Sequence, residues 1–308
     1  MGVVNEELRL ETGPGGVRVS AGAVELAEYV VEPDTPRPDS PKPYLHPLRT
    51  TAGDVVTAVR PHDHPWHNGL QFTAANLSGE NFWGGRTYVR GQGYTELDNN
   101  GSIRHLRWQR THCASGLAEL RHSLVWETRA GECWLTEDRS IELSDVDLCD
   151  GSWLLTWKTS LCNTSDRLLE WGSPATEGRP TAGYGGLFWR GPRSFVGGTA
   201  FSSTGVPGDS AMGGRAPWLA YTGQHDISLR HSTLVFVDCP ANVRHPTPWY
   251  VRTEPFPVVS FATTFHEPLP LEPGGRIDLT HHAIVADGSW EPERIEKYIA
   301  TRIAARWG

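Results

Sequence analysis

The chain has 308 residues, a net charge of −8, 38% hydrophobic and 21% charged residues, the proportions of a globular protein able to bury a large core. Its basic residues are scattered, so the electrostatic footprint of a nucleic-acid partner is missing, and no run of about 18 apolar residues is present to cross a membrane as a helix. Residues 1–7 lack the basic start and apolar stretch of a secretory signal. Cys113, Cys133, Cys149, Cys162 and Cys239 are widely spaced without a C-x-x-C pair, which predicts thiols in a reducing, cytoplasmic setting.

Residues 8–12, 17–20 and 24–30 alternate apolar and polar side chains between turns rich in glycine, predicting strands in hairpins. Five prolines between 33 and 43 make a stiff connection to strands at 44–50 and 55–59. Next comes His62-Asp63-His64-Pro65-Trp66-His67-Asn68-Gly69, where Pro61 and Pro65 disfavour helix. A loop leading into a strand at 70–73 is expected. In extended chain His62 and His64 share a face, and His67 joins them only if the chain bends at Pro65.

Residues 81–86 form a glycine-rich aromatic loop, and strands follow at 102–108, 117–127, 132–143, 152–162 and 167–173. A second glycine-aromatic segment covers 183–190, and a loop covers 205–217. Strands at 218–221 and 232–237 precede a proline-rich segment at 238–250, and strands at 258–264 and 276–286 close the pattern. Only residues 292–307 have helical spacing, with Ile295, Ile299, Ile303 and Ala304 on one stripe. Many short strands with Gly/Pro turns and one terminal helix predict an all-β fold of packed antiparallel sheets. No linker divides the chain, so residues 1–308 are read as one domain. The 13 tryptophans are mostly core, but their excess leans towards carbohydrate, because indole faces stack on sugar C–H groups and the N–H donates to hydroxyls.

Three roles compete for the histidine cluster. Imidazoles titrate near neutrality and can move protons at a sugar carbon or hydroxyl. His62 and His64 could instead share a divalent metal, with His67, Asp63, His266 or Glu267 as the third ligand. Otherwise the rings cap backbone groups. In the 238–250 segment, Asn242, Arg244, His245, Trp249 and Tyr250 form a second candidate. Arg244 offers a fork of donors and Trp249 a stacking face, or Asp238 and Arg244 pair to brace a crossover. Tyr184 and Arg190 are placed to approach a ligand by the glycines at 183, 185 and 186. Phe82-Trp83 reads as a platform under a sugar ring, or as ordinary core, with Arg86 beside it. Glu177 sits in a polar turn and could be a catalytic carboxylate. His281-His282 puts one ring inward and one outward, and His282 is kept as a contact. No G-x-S-x-G elbow, P-loop or H-E-x-x-H occurs.

Residues 43–50, the 62–70 cluster and 81–84 together resemble a bacterial family known as PmoA-like. Tyr184 to Leu187 with Arg190, residues 238–250 and the strand ending in Asp287-Gly288 extend the resemblance over most of the chain. It implies a large antiparallel β-sandwich of the galactose mutarotase type and a role in sugar catabolism. The family pattern reads nearer to His-Pro-His-His-Arg-Gly-Leu where Trp66 and Asn68 intervene here, and carries Tyr-Arg where this chain has His281-His282. The expected function is a carbohydrate-active enzyme, an epimerase, lyase or hydrolase of an oxidised glycoside. In it His64 or His67, with His62 nearby, transfers a proton while Arg190 or Arg244 holds an anionic or hydroxyl group. A non-catalytic sugar-binding module and a metal-dependent oxygenase or hydrolase are the alternatives. The expected partner is a small carbohydrate, with no cofactor unless a divalent metal sits on the histidines; assembly into a homo-oligomer is left open.

Overall fold

The computed structural model describes residues 8–114 and 116–307; the reading of residues 1–7 lies outside them. Alternation along the strands sorts side chains onto two faces. In Gly186–Arg190, Leu187 and Trp189 enter the main core, while Phe188 joins a separate aromatic cluster on the opposite face. The same rule, repeated strand after strand, builds two antiparallel sheets of eight strands. One runs Leu8–Gly13, Gly16–Ala21, Val24–Val30, Tyr44–Leu48, Leu70–Thr73, Gly186–Arg190, Val258–Phe261, Trp249–Arg252. The other runs Thr199–Ser202, Trp218–Gln224, His231–Asp238, Arg276–Asp287, Ser152–Asn163, Cys133–Asp147, Leu117–Glu127, Ser102–Ala114.

Between the sheets lies one large apolar core holding Tyr29, Phe72, Trp126, Trp157, Trp189 and Trp249, all fully buried. Each such side chain contributes about 1.5–3 kcal/mol on leaving water. Ten of the 13 tryptophans are buried, so most of the tryptophan excess serves packing. The two outer faces differ. The C-terminal α-helix Pro292–Tyr298 continues as a π turn, Ile299–Ile303, and a 3-10 turn, Ala304–Arg306. Its stripe of Ile295, Ile299 and Ile303 covers Trp218, Val235 and Ile284 on the outside of the second sheet. The outside of the first sheet carries the aromatic cluster and, with it, a cleft.

The all-β expectation holds, and the structure departs from it locally. Residues 55–59 form no strand but only bridges, Arg49 with Val55 and Val59 with Asn68, because this stretch is spent on closing the histidine loop. Trp249–Arg252, Leu269–Leu271, Thr199–Ser202 and the hairpin of Thr87–Val89 with Gly93–Thr95 are further strands in stretches where the sequence pattern assigned none. Among the described residues no helix is long and apolar enough to cross a membrane.

Candidate active site

The histidine loop is closed at its base and folded within by backbone pairing. Gly69 N donates to Ala58 O (2.8 Å) and Arg60 N to His67 O (2.8 Å). Inside that neck two turns follow each other, His64 N donating to Pro61 O and His67 N to His64 O, both at 3.0 Å. The second turn brings the rings of His64 and His67 into a stack, centroids 4.6 Å apart and planes 18° off parallel. Gly69 makes the neck fit: its φ is +55°, and a Cβ there would sit 2.1 Å from Leu45 O.

Hydrogen bonds assign a different state to each ring. Arg190 Nη1 donates to His67 Nδ1 (3.0 Å); guanidinium can only donate, so this nitrogen is the acceptor and the proton sits on Nε2. His67 is fully buried, and burial, followed by the charges of His64, Arg190 and Lys42, holds its pKa well below the imidazole range. His64 Nδ1 lies 2.7 Å from Asp63 Oδ2. Burial would raise the pKa of Asp63, but the bond from His64 and the charge of Arg190, at 3.1–3.2 Å, bring it below the ordinary carboxylate value. Asp63 is therefore ionised and accepts from His64 Nδ1–H, leaving a lone pair on His64 Nε2. Burial also lowers His64, partly offset by Asp63, so the ring is neutral near pH 7. Neither Nε2 has a protein partner among the described residues. One ring thus offers an acceptor and its neighbour a donor.

Both rings line a cleft of about 990 Å³. Its floor is aromatic: His67 meets Phe188 (4.7 Å) and Trp83 (5.3 Å), Trp83 meets Tyr184 (4.5 Å), and Tyr184 meets Tyr250 (5.5 Å). Phe256 packs on His64 at 4.7 Å and lies 4.4 Å beneath the Arg190 guanidinium. Asn81 fixes the Trp83 loop by accepting from Trp83 N and Gly84 N, both at 2.9 Å. The Trp66 ring lies against Gly85, where a Cβ would be 2.7 Å from it, so the glycines of this loop make room for an indole.

Of the residues singled out in the sequence, His64, His67, Trp83, Arg86 and Tyr184 line the cleft. Arg86 is exposed, 3.9 Å from Glu96. Arg190 stands behind the histidines, buried, with Nε unpartnered, so it positions His67 and Asp63. His62 is exposed and outside the cleft lining. The three rings expected as a metal trio do not converge, and among the described residues no group of three or more His, Cys, Asp or Glu is placed to hold a metal ion. Glu177 is half-buried, accepts from Asn76 Nδ2 (3.1 Å) and stays outside the lining. Phe82 belongs to the core between the sheets.

The 238–250 segment lies away from the cleft, apart from Tyr250. Arg244 donates to the carbonyls of Thr263, Glu267 and Pro268 at 2.7–3.0 Å, which braces a loop. Asn242 bonds to Asp238 and to both backbone groups of Thr280, and the Asp238 carboxylate faces His245 Nδ1 (2.8 Å) and His281 Nδ1 (3.5 Å), not Arg244. Trp249 faces inward, wholly buried, with Nε1 donating to Ala216 O. His281 stacks on Phe261 in the core at 4.0 Å. His282, on the other face, is buried with Thr156 as partner, and burial takes its pKa down to about 3. Strand alternation explains this segment: Trp249 and Tyr250 cannot face the same side, and the cleft has Tyr250.

Cleft residues that sequence reasoning passed over are Tyr94, Arg179, Phe188, Arg252 and Phe256. Arg252 had a usable signal, since it follows Tyr250 by two residues and so shares its face. Tyr94, on the short strand Gly93–Thr95, and Arg179, in a loop, are distant in sequence from the histidines, and nothing local marks them. Lys42 lies beneath, wholly buried, donating to the carbonyls of Asp39, Ser40 and Trp83. Burial takes its pKa down to about 7.

The model of a family of unknown function, DUF6807, matches residues 16–300. The chain belongs to this family. Among curated protein sequences nothing matches this DUF6807 chain. Among solved structures it is similar to the α-galactosidase from Lactobacillus brevis, at 9% identity and a TM-score of 0.42, over 98% of this chain and 42% of that one. A TPR-domain containing protein from Parabacteroides distasonis is similar at 12% identity and 0.38, over 90% and 48%. Galactose 1-epimerase from Lactobacillus acidophilus is similar at 10% identity and 0.34, over 94% and 97%. The DUF6807 chain spans less than half the length of the first two.

Proposed function

We propose that this DUF6807 protein is a carbohydrate-active enzyme that works by proton transfer between a sugar and His64, with His67 stacked on it as a hydrogen-bond donor. The observation that carries the reading is the complementary protonation of the two rings. His64 Nε2, backed by Asp63, takes a proton from a hydroxyl or an acidified C–H; His67 Nε2–H, backed by Arg190, donates a hydrogen bond to a nearby oxygen and stabilises negative charge as it develops there. Trp83, Trp66 and Tyr184 supply ring faces for the C–H side of a pyranose. Epimerisation, elimination and hydrolysis all need such a pair, and the PmoA-like resemblance of the sequence points to the same substrate class.

The test is to assay the purified protein against a panel of hexoses, uronates and their glycosides by NMR, with His64→Gln and His67→Gln beside it. A general base contributes roughly 10²–10⁴ in rate, so His64→Gln is expected to lower kcat about a hundredfold or more with binding retained. Wild-type protein that binds sugars and turns none of them over would overturn the enzymatic reading in favour of the module.

A further inference from the structure

The wall of the cleft beside the histidines is built of tyrosines and arginines whose hydrogen-bonding capacity is unevenly used. Arg252 Nε donates to Tyr250 Oη (3.0 Å), so the Tyr250 proton is unclaimed. Arg179 donates to Tyr94 Oη and lies 4.7 Å over its ring. The hydroxyls of Tyr94 and Tyr184 are 2.7 Å apart. Since Tyr94 Oη already accepts from Arg179, whichever phenol donates to the other, one proton of that pair is left over.

The charges are equally uneven. At the cleft rim Arg86 faces Glu96 and Arg129 faces Asp98. Arg179 and Arg252 have no carboxylate within ion-pair distance among the described residues, although the chain carries 36 acidic against 28 basic residues. Both are half-buried. A sugar hydroxyl brings a donor as well as an acceptor, whereas this wall has donors and positive charge to spare. The matching group is one that only accepts and is negatively charged.

Resting on the function proposed above, we infer that the substrate is an anionic sugar, its carboxylate or phosphate held by Arg179 and Arg252 with the phenol protons of the tyrosine wall, while its ring lies on Trp83 towards His64 and His67. This reassigns the anion-holding role, expected from sequence at Arg190 or Arg244, to two arginines that line the cleft.

The experiment is isothermal titration of the wild-type chain with glucuronate, galacturonate, gluconate and glucose 6-phosphate against glucose and galactose, repeated with Arg179→Met, Arg252→Met and Arg252→Lys. The anionic sugar is expected to bind roughly ten- to hundredfold tighter than its neutral counterpart, the range for charge-assisted hydrogen bonds. Each methionine variant should lose most of that preference, and Arg252→Lys should recover part of it. The carboxylate and phosphate arms separate the two sources of negative charge. Neutral sugars that bind as well as the anionic ones and are turned over with dependence on His64 would overturn the anion site and leave the enzymatic reading standing. Failure of every sugar to bind would overturn both. Should a variant fail to fold, the wild-type comparison decides alone.

Discussion

Asp63 is shared by two groups, the imidazole of His64 and the guanidinium of Arg190, and each use has a separate consequence. Its charge and hydrogen bond raise the His64 pKa against the burial that lowers it. Asp63→Asn therefore moves the acid limb of the activity profile to lower pH, because His64 then protonates only in stronger acid. The same change weakens the base, and kcat should fall by about tenfold to a hundredfold, part of the span available to general base catalysis. A pH–rate series on the two proteins checks both; an acid limb displaced to higher pH would contradict the assigned hydrogen bond. At this scale the sequence was informative where chemistry is concentrated. Three histidines and an aspartate in six residues draw attention to this loop, yet which ring faces the cleft depends on two turns that composition does not specify. His62, one residue before Asp63, is lost to solvent, and the position of Arg190 behind the rings depends on strand alternation from Gly186 onward.

The element that holds the pair is the loop from Ala58 to Gly69, and its neck tests the packing argument. Gly69→Ala places a methyl group against Leu45 O and forces an alanine into the left-handed region. About 3 kcal/mol of stability should be lost, the sum of backbone strain and a clash that a β-strand cannot relieve. Gly53 is the control: it also has positive φ, +89°, but no atom within 4 Å of a Cβ, so Gly53→Ala should cost only about 1–2 kcal/mol. Denaturant melts of the two variants compare the terms, and equal losses would show that the approach to Leu45 is unimportant. Strands with clear period-two patterning, such as Val24–Val30 and Leu117–Glu127, were legible with their boundaries. The short strand Trp249–Arg252 was hidden among prolines, and the stretch 55–59 has strand composition but is diverted by the loop it closes. Local pattern reports what a segment tolerates, and the neighbours decide its partner.

For the whole molecule the acid response follows from histidines enclosed as neutral rings. His67, His122 and His282 are buried, and burial is the largest cause of the lowered pKa of each, His282 reaching about 3. Between the ordinary value of 6.5 and about 3, the unfolded chain binds a proton at His282 that the folded chain refuses. Stability from this residue is complete above 6.5 and declines as pH falls through that window, by up to about 1.4 kcal/mol per pH unit. His282→Gln, which keeps a side-chain amide for Thr156, should flatten the fall in melting temperature between pH 6.5 and 4; an unchanged slope would mean that the ring is already protonated in the fold. The all-β architecture and its terminal helix were readable from turn spacing and from the Ile295–Ile303 stripe. Which outer face would be covered and which left open was not, since both sheets present aromatic residues there and only the path of the last sixteen residues decides it.

The split between Leu187 and Trp189 on one side of a strand and Phe188 and Arg190 on the other makes two properties addressable along a single stretch of chain. Substitutions from 187 to 190 should read out in turn as a lower melting point, altered catalysis, a lower melting point and altered catalysis again. Specificity could thus be rewritten at even positions while the odd ones carry the cohesion, a partition that a saturation library of four codons would expose.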